Sequence, residues 1–289
     1  MNIHLCVYSN EKYEVPRKAL INLAESSGIF ESIFEYDREW LEKTQFYLDN
    51  LQILGDLESK GDGWCLWKPF VMLESMGKIP SGDVLLYMDS SDTFFGDFDN
   101  FLHAYFEEND ILLTRGGNTN SKFTRRDTFF YMGCDRPIYW NSPQVEAGVI
   151  GMKKCEKSLI FLEEYLRYCR DPRIIMGGKN ECGLKNFPDY VDHRYDQSVL
   201  SILGIKNKIQ PTDKIRPYIE CNLWEAITQE PNGLQDKIGS IVSNVILNHQ
   251  SGDSLFEWKV NYLHSLIILK ATTSLDQMWD REISKWHQF

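Results

Sequence analysis

Through the first half of the chain, short continuous apolar runs alternate with stretches whose apolar residues recur at helical spacing. Residues 3–8 read as a first strand. Pro16 suits the first turn of a helix whose stripe is Ala19, Leu20, Leu23 and Ala24, and Gly28 is placed to close it. A second strand is expected at 33–36, two helical patterns at 37–48 and on to 58, and a turn at Gly61-Asp62-Gly63. Pro69 marks the first turn of a helix reaching Met76. That helix leads into residues 83–92, Asp-Val-Leu-Leu-Tyr-Met-Asp-Ser-Ser-Asp, an apolar run short enough to be a strand buried on both faces that ends abruptly in acids and hydroxyls.

Beyond it the pattern predicts a helix at 97–107, a strand at 111–114, a long polar loop at 115–126 and strands at 128–132 and 145–152. A helix at 156–169 carries Leu159, Leu162, Tyr165 and Leu166 on one face, a core stripe. A loop at 170–192 and a helix at 193–203 come next. The tail holds a strand-like run at 241–247, then His249, then a stripe of Trp279, Ile283 and Trp286. That stripe reads as a packed helix and not a membrane foot, because it lacks a basic polar face. The alternation predicts an α/β fold, a mixed, mostly parallel central sheet flanked by helices, in a single domain with an irregular C-terminal part.

In open α/β sheets ligands collect beyond the carboxyl ends of the strands, so Asp89, Ser90, Ser91 and Asp92 are expected on the rim of a binding crevice. Their oxygens are the ligands hard divalent cations such as Mg²⁺ and Mn²⁺ prefer, and such an ion would neutralise a bound diphosphate. An acidic turn that merely caps the following helix would use the same residues.

With 289 residues, 43% of them hydrophobic, the chain is long enough for one large core. No basic lead or long apolar run marks a secretory signal at the N-terminus, and the late apolar segment at 262–269 is too short to span a bilayer. A soluble, cytoplasmic protein, at most peripheral to a membrane, is expected. The seven cysteines are scattered without metal-site spacing, as expected of reduced thiols. A net charge of −11 argues against a nucleic-acid partner. Local basicity is a separate matter. Lys68, Arg115, Lys122, Arg125 and Arg126 fit a small anionic ligand, or for the 115–126 group a solvated basic loop. No GxGxxG succeeds the first strand and no Walker loop occurs, which argues against a dinucleotide dehydrogenase and a P-loop ATPase.

Three stretches together resemble the nucleotide-sugar-dependent glycosyltransferases of the GT-A fold. The strand ending at Asp89 resembles their Asp-x-Asp element. Tyr195-Asp196-Gln197-Ser198 resembles the Asp-Gln helix start of the retaining family that includes glycogenin and the bacterial lipo-oligosaccharide galactosyltransferases, and Asn248-His249-Gln250-Ser251-Gly252 its late His-x-x-Gly element. A further resemblance is to bacterial and viral polysaccharide-type sugar transferases with Trp-x-Trp-Lys-Pro before the acidic strand. Here that is Trp64-Cys65-Leu66-Trp67-Lys68-Pro69, with Glu146-Ala147-Gly148-Val149-Ile150-Gly151 and His193-Arg194-Tyr195-Asp196-Gln197 after it in order. The chain departs from the pattern at Ser91, which stands where the second Asp of Asp-x-Asp belongs, with Asp92 one residue on. Either Asp92 or Ser91 would complete the motif.

The resemblance implies a GT-A-like transferase domain over residues 1–258 and a helical extension over 259–289. It implies a Mn²⁺- or Mg²⁺-dependent hexosyl- or pentosyltransferase that takes a nucleoside-diphosphate sugar, in particular a UDP-sugar, to a glycan or small hydroxyl acceptor with retention of configuration. Metal ligands would be Asp89, Asp92 and His249. Asp196 would bind hydroxyls of the donor sugar, and Gln197 would stabilise the oxocarbenium-like centre or hold the acceptor. Tyr8 would stack on the base, Lys68 and Arg115 would meet the diphosphate, and Asp89, Ser91, Glu146, Ala147 and Gly148 would line the donor pocket. Were the reaction inverting, Glu146 or Asp127 would be the base. A sugar nucleotidyltransferase, which normally opens with a Gly-rich basic loop absent here, and a catalytically silent nucleotide-sugar binder are the competing readings.

Overall fold

A computed structural model describes residues 1–56 and 59–221. His249, the run at 241–247, the tryptophan stripe and the extension over 259–289 lie outside the described residues.

Five strands form one sheet. In chain order they are β1 (Ile3–Ser9), β2 (Phe30–Asp37), β3 (Val84–Met88), β4 (Ile111–Thr119) and β5 (Pro143–Lys153), and their order across the sheet is β2-β1-β3-β5-β4. β1 runs parallel to β2 and β3, with Leu5 opposite both Ile33 and Leu86, whereas β5 is antiparallel to β3 and to β4. The sheet is therefore mixed and mostly parallel, as the pattern predicts.

Every residue of β1 and β3 is buried, because both faces of the sheet are covered. Alternate residues feed two separate cores. Cys6, Tyr8, Leu85 and Tyr87 pack on one face against α2 (Trp67–Lys78), α4 (Glu156–Cys169) and α5 (Tyr195–Lys206). Leu5, Val7, Leu86 and Met88 pack on the other against α1 (Glu14–Ser27) and α3 (Phe98–Glu108). Each fully buried aliphatic or aromatic side chain contributes about 1.5–3 kcal/mol. α1 ends where expected, on Gly28 at φ 69°, the left-handed conformation that glycine adopts without steric cost.

Three local expectations are corrected. Residues 128–131 belong to a helix, Arg126–Tyr131, which Met132 caps, and not to a strand. So short an apolar run fits either period, and side-chain bonds decide it: Thr128 Oγ1 donates to the Ile174 carbonyl, and Asp127 accepts the backbone N–H groups of Glu181 and Cys182. The 115–126 stretch is not one loop, since β4 continues to Thr119 before a short helix, Asn120–Phe123. The helical patterns at 37–58 resolve into three short helices, Arg38–Glu42, Gln45–Asp49 and Leu51–Leu54.

The β4–β5 ladder is irregular at its middle. Leu113 faces Ile150, but Thr114 faces Glu146, so Ala147, Gly148 and Val149 bulge from the pairing. The bulge lies beside the carboxyl end of β3, where Gly148 O accepts the Asp89 N–H at 2.8 Å.

Candidate active site

β3 delivers five apolar residues into the core and then releases Asp89 at the sheet's edge of a cleft of about 200 Å³. The Asp92 N–H bonds to the Asp89 carbonyl at 3.0 Å, a tight turn that returns the second carboxylate to the first. Gly148 records how closely they converge. A Cβ built there would lie 2.5 Å from Asp92 Oδ2 and 3.5 Å from Asp89 Oδ2. Asp89, Asp92, Glu146, Ala147 and Gly148 line the cleft; Ser91 is buried and does not. Pairing of Thr93–Phe94 with Ile219–Glu220 brings Cys221 to the same wall. Burial, then the carboxylates of Asp92, Glu146 and Asp89, push its thiol pKa up.

Behind these acids lies Lys68, in the first turn of α2 and almost fully buried. Its ammonium is 3.1 Å from Asp89 Oδ1 and 3.3 Å from Asp196 Oδ2, and it donates to the Ala147 carbonyl at 2.9 Å. Tyr87 Oη also donates to Asp89 Oδ1, and Tyr165 Oη to Asp196 Oδ2 at 3.1 Å. Burial alone would push Lys68 toward neutrality, but Asp196 and Asp89 outweigh it and its pKa is raised. Asp196 is raised as well, by burial first and by Asp89, against the pull of Lys68.

α5 supplies the neighbouring wall. Gln197 lines the cleft and its Nε2 donates to Gln144 Oε1 at 3.1 Å, while Arg194 reaches the cleft from the residue before the helix. Glu146 is ion-paired to Arg216 at 2.8 Å, Arg216 continues to Asp213 at 2.9 Å, and Asp213 to Arg115 at 3.3 Å.

The structure thus brings Asp89, Asp92, Glu146, Ala147, Gly148 and Gln197 together and sets other expected residues elsewhere. Tyr8 is buried, stacked on Trp67 at 3.9 Å between ring centroids, and donates to Asp62. Lys68 and Asp196 are buried beneath the cleft and do not line its wall. Arg115 points to Asp213 and the Pro211 carbonyl. Two members of the expected basic cluster are paired with acids: Arg125 with Asp127 at 3.2 Å and Arg126 with Asp135 at 2.9 Å. Asp127 is fully buried. Burial would raise its pKa, but the Cys182 thiol, the Glu181 and Cys182 N–H groups and Arg125 hold it below the usual carboxylate range. Gln144, Arg216 and Cys221 have no distinguishing pattern of their own in the sequence. Arg194 lies within the His193-Arg194-Tyr195-Asp196-Gln197 motif, which does not by itself single it out. Cys221 arrives only through the Thr93–Phe94 pairing, which carries no local signal.

The donor set suits a hard divalent cation in type, with carboxylate oxygens of Asp89 and Asp92 crowding one point. Among the described residues no group of three or more His, Cys, Asp or Glu side chains is arranged to hold a metal. His249, the third expected ligand, is outside them. The described residues contain no helix long and apolar enough to cross a membrane, and all seven cysteines are free thiols.

No family model matches the chain, and none of the curated proteins does. Among solved structures it is similar to mouse xyloside xylosyltransferase 1 in its apo form, at 10% identity over 81% of this chain and 93% of that one, with a TM-score of 0.42. It is similar also to a glycosyltransferase involved in glycosylation of the major capsid of PBCV-1, at 13% identity over 67% and 82% of the two chains, with a TM-score of 0.36. A third likeness is to the glycosyltransferase GlyE of Streptococcus pneumoniae TIGR4, at 13% identity over 93% of this chain and 62% of that one, with a TM-score of 0.39. Likenesses this distant leave the chemistry to the residues themselves.

Proposed function

We propose that the chain is a GT-A-like glycosyltransferase that moves a hexosyl or pentosyl group from a nucleoside-diphosphate sugar, in particular a UDP-sugar, to a hydroxyl of a glycan or small acceptor. The observation that carries this reading is the convergence of Asp89 and Asp92 over Gly148, at the carboxyl end of a buried strand and in one cleft with Gln197. Asp89 and Asp92 would hold Mn²⁺ or Mg²⁺, which supplies positive charge where the leaving diphosphate gains negative charge.

The chain's own groups do the rest. Lys68, through Asp89 Oδ1, fixes one carboxylate while its Oδ2 stays toward Gly148. The same ammonium pins Asp196, and so the first turn of α5, which sets where Gln197 emerges. With Nε2 held by Gln144, the Gln197 Oε1 is the end available to a sugar, where its partial negative charge would stabilise an oxocarbenium-like centre. An inverting reaction needs a base opposite the leaving group. Asp127 is buried away from the cleft and Glu146 is tied to Arg216, an arrangement that favours retention. In a retaining transfer the acceptor proton passes to the leaving phosphate on the same face.

The test is release of free UDP from a panel of UDP-sugars with Mn²⁺, Mg²⁺ or EDTA. Metal-stimulated release is expected. Release of diphosphate from a nucleoside triphosphate and a sugar phosphate would show a nucleotidyltransferase instead, and nucleotide-sugar binding without turnover a silent binder.

A further inference from the structure

The cations expected to meet a diphosphate are committed elsewhere. Lys68 is buried between Asp89 and Asp196, Arg125 is held by Asp127, Arg126 by Asp135, and Arg115 by Asp213. Arg194 differs from all of them. Among the described residues lining the cleft it is the one cation, it is exposed, and it makes no ion pair with another described residue; its guanidinium lies over the Phe123 ring at 4.7 Å.

Its placement is built by its neighbours. The Arg194 N–H bonds to the Phe123 carbonyl at 3.0 Å and to Ser198 Oγ at 3.2 Å. On one side His193 is buried, accepts the Arg125 N–H at Nδ1 and meets the Ile174 carbonyl through Nε2. On the other side Tyr195 sits at φ 41°, a left-handed conformation that costs a residue with a Cβ about 1–3 kcal/mol, with its ring edge-on to Trp64 at 4.7 Å. Asp196 is then anchored by Lys68 and Tyr165. The turn through Tyr195 sends Asp196 inward and leaves Arg194 and Gln197 on the cleft.

We infer that Arg194 is the side chain that binds the phosphate oxygens of the donor's diphosphate, an inference that rests on the nucleotide-sugar reading of this cleft. The walls otherwise carry Asp89, Asp92 and Glu146, which repel an anion. A ligand with several negative oxygens needs a second positive group beside the metal. A guanidinium is suited to that task, since its planar fork donates two parallel hydrogen bonds to phosphate and it stays charged at any working pH. Packing on Phe123 pre-orients the fork, so little side-chain freedom is lost when the ligand arrives.

The experiment is calorimetric titration of the full chain with UDP and with uridine in Mg²⁺, for the wild type, Arg194→Gln and Arg194→Lys. The wild type is expected to prefer UDP. Arg194→Gln should weaken UDP at least tenfold, leave uridine unchanged and melt at the wild-type temperature; Arg194→Lys should recover only part of the loss, because an ammonium cannot reproduce the fork. If the wild type prefers UDP and Arg194→Gln keeps that preference within twofold, the assignment of Arg194 is wrong while the nucleotide-sugar reading stands. Unchanged UDP affinity with slowed transfer to an acidic acceptor would move the guanidinium to the acceptor and overturn the inference as well. If the wild type binds UDP no better than uridine, both fall.

Discussion

The ammonium of Lys68 lies 3.3 Å from the carboxylate of Asp196, and both groups are buried. One residue opens α2 and the other opens α5, so this contact ties two helices beneath the cleft and fixes the acid at the end of β3 between them. Because of that burial, Lys68→Met should lower stability by about 3–5 kcal/mol, the cost of leaving a buried carboxylate without its partner. Urea denaturation measures it. A variant as stable as the wild type would mean that the ammonium is not shared by Asp89 and Asp196. The expectation that Lys68 acts directly on a diphosphate predicts the opposite pattern, weak ligand binding with unchanged stability.

Gly148→Ala tests the convergence of the two carboxylates. The added methyl would stand 2.5 Å from Asp92 Oδ2 while the backbone there needs no glycine-only conformation, so Asp92 must move and the fold can remain. Metal-stimulated UDP release should fall at least tenfold, with a melting temperature within a few degrees of the wild type.

Asp92, not Ser91, shares the cleft with Asp89, and a three-way comparison reads this directly. Asp89→Asn and Asp92→Asn should each lose most of the metal-stimulated turnover, because an amide is a poorer ligand than a carboxylate. Ser91→Ala should keep it. Full activity of Asp89→Asn, or of the wild type in EDTA, would remove the metal from the mechanism.

His193 gives the fold a pH dependence. Burial first, and the charge of Arg125, push its pKa down to about 3 from an ordinary value of 6.5. The unfolded chain therefore binds a proton that the folded chain refuses. The stabilisation is complete above about pH 6.5 and is lost as pH falls toward 3, with a slope of about 1.4 kcal/mol per pH unit from this residue. In paired denaturation curves between pH 7 and pH 4, wild type should lose more stability than His193→Gln, and parallel curves would show that the imidazole takes up a proton in the folded state.

The stereochemical prediction rests on Gln197. Gln197→Ala should slow transfer far more than it weakens donor binding, and the first-formed product should keep the donor's anomeric configuration by NMR. An inverted product would assign the base role to Glu146, the one of the two candidate bases that lines the cleft.

Short, largely apolar runs at 3–8 and 84–88 determined β1 and β3, because a strand covered on both faces is mostly apolar, and the abrupt change at Asp89 determined where the cleft would open. The stripe on α4 and the glycine after α1 were equally legible, since side-chain period and backbone permissiveness are local properties. The tertiary structure alone decided which charges face the cleft. Lys68, Arg115, Arg125 and Arg126 look alike in the sequence, yet each is captured by a carboxylate distant or near along the chain, and among the described residues only Arg194 is left on the wall. It also put Asp92 on the cleft wall and Ser91 off it, although the two are neighbours in the chain, through the turn closed by the bond from the Asp92 N–H to the Asp89 carbonyl. Ion pairing depends on distances between elements far apart in the chain, and hydrophobic periodicity carries no record of them.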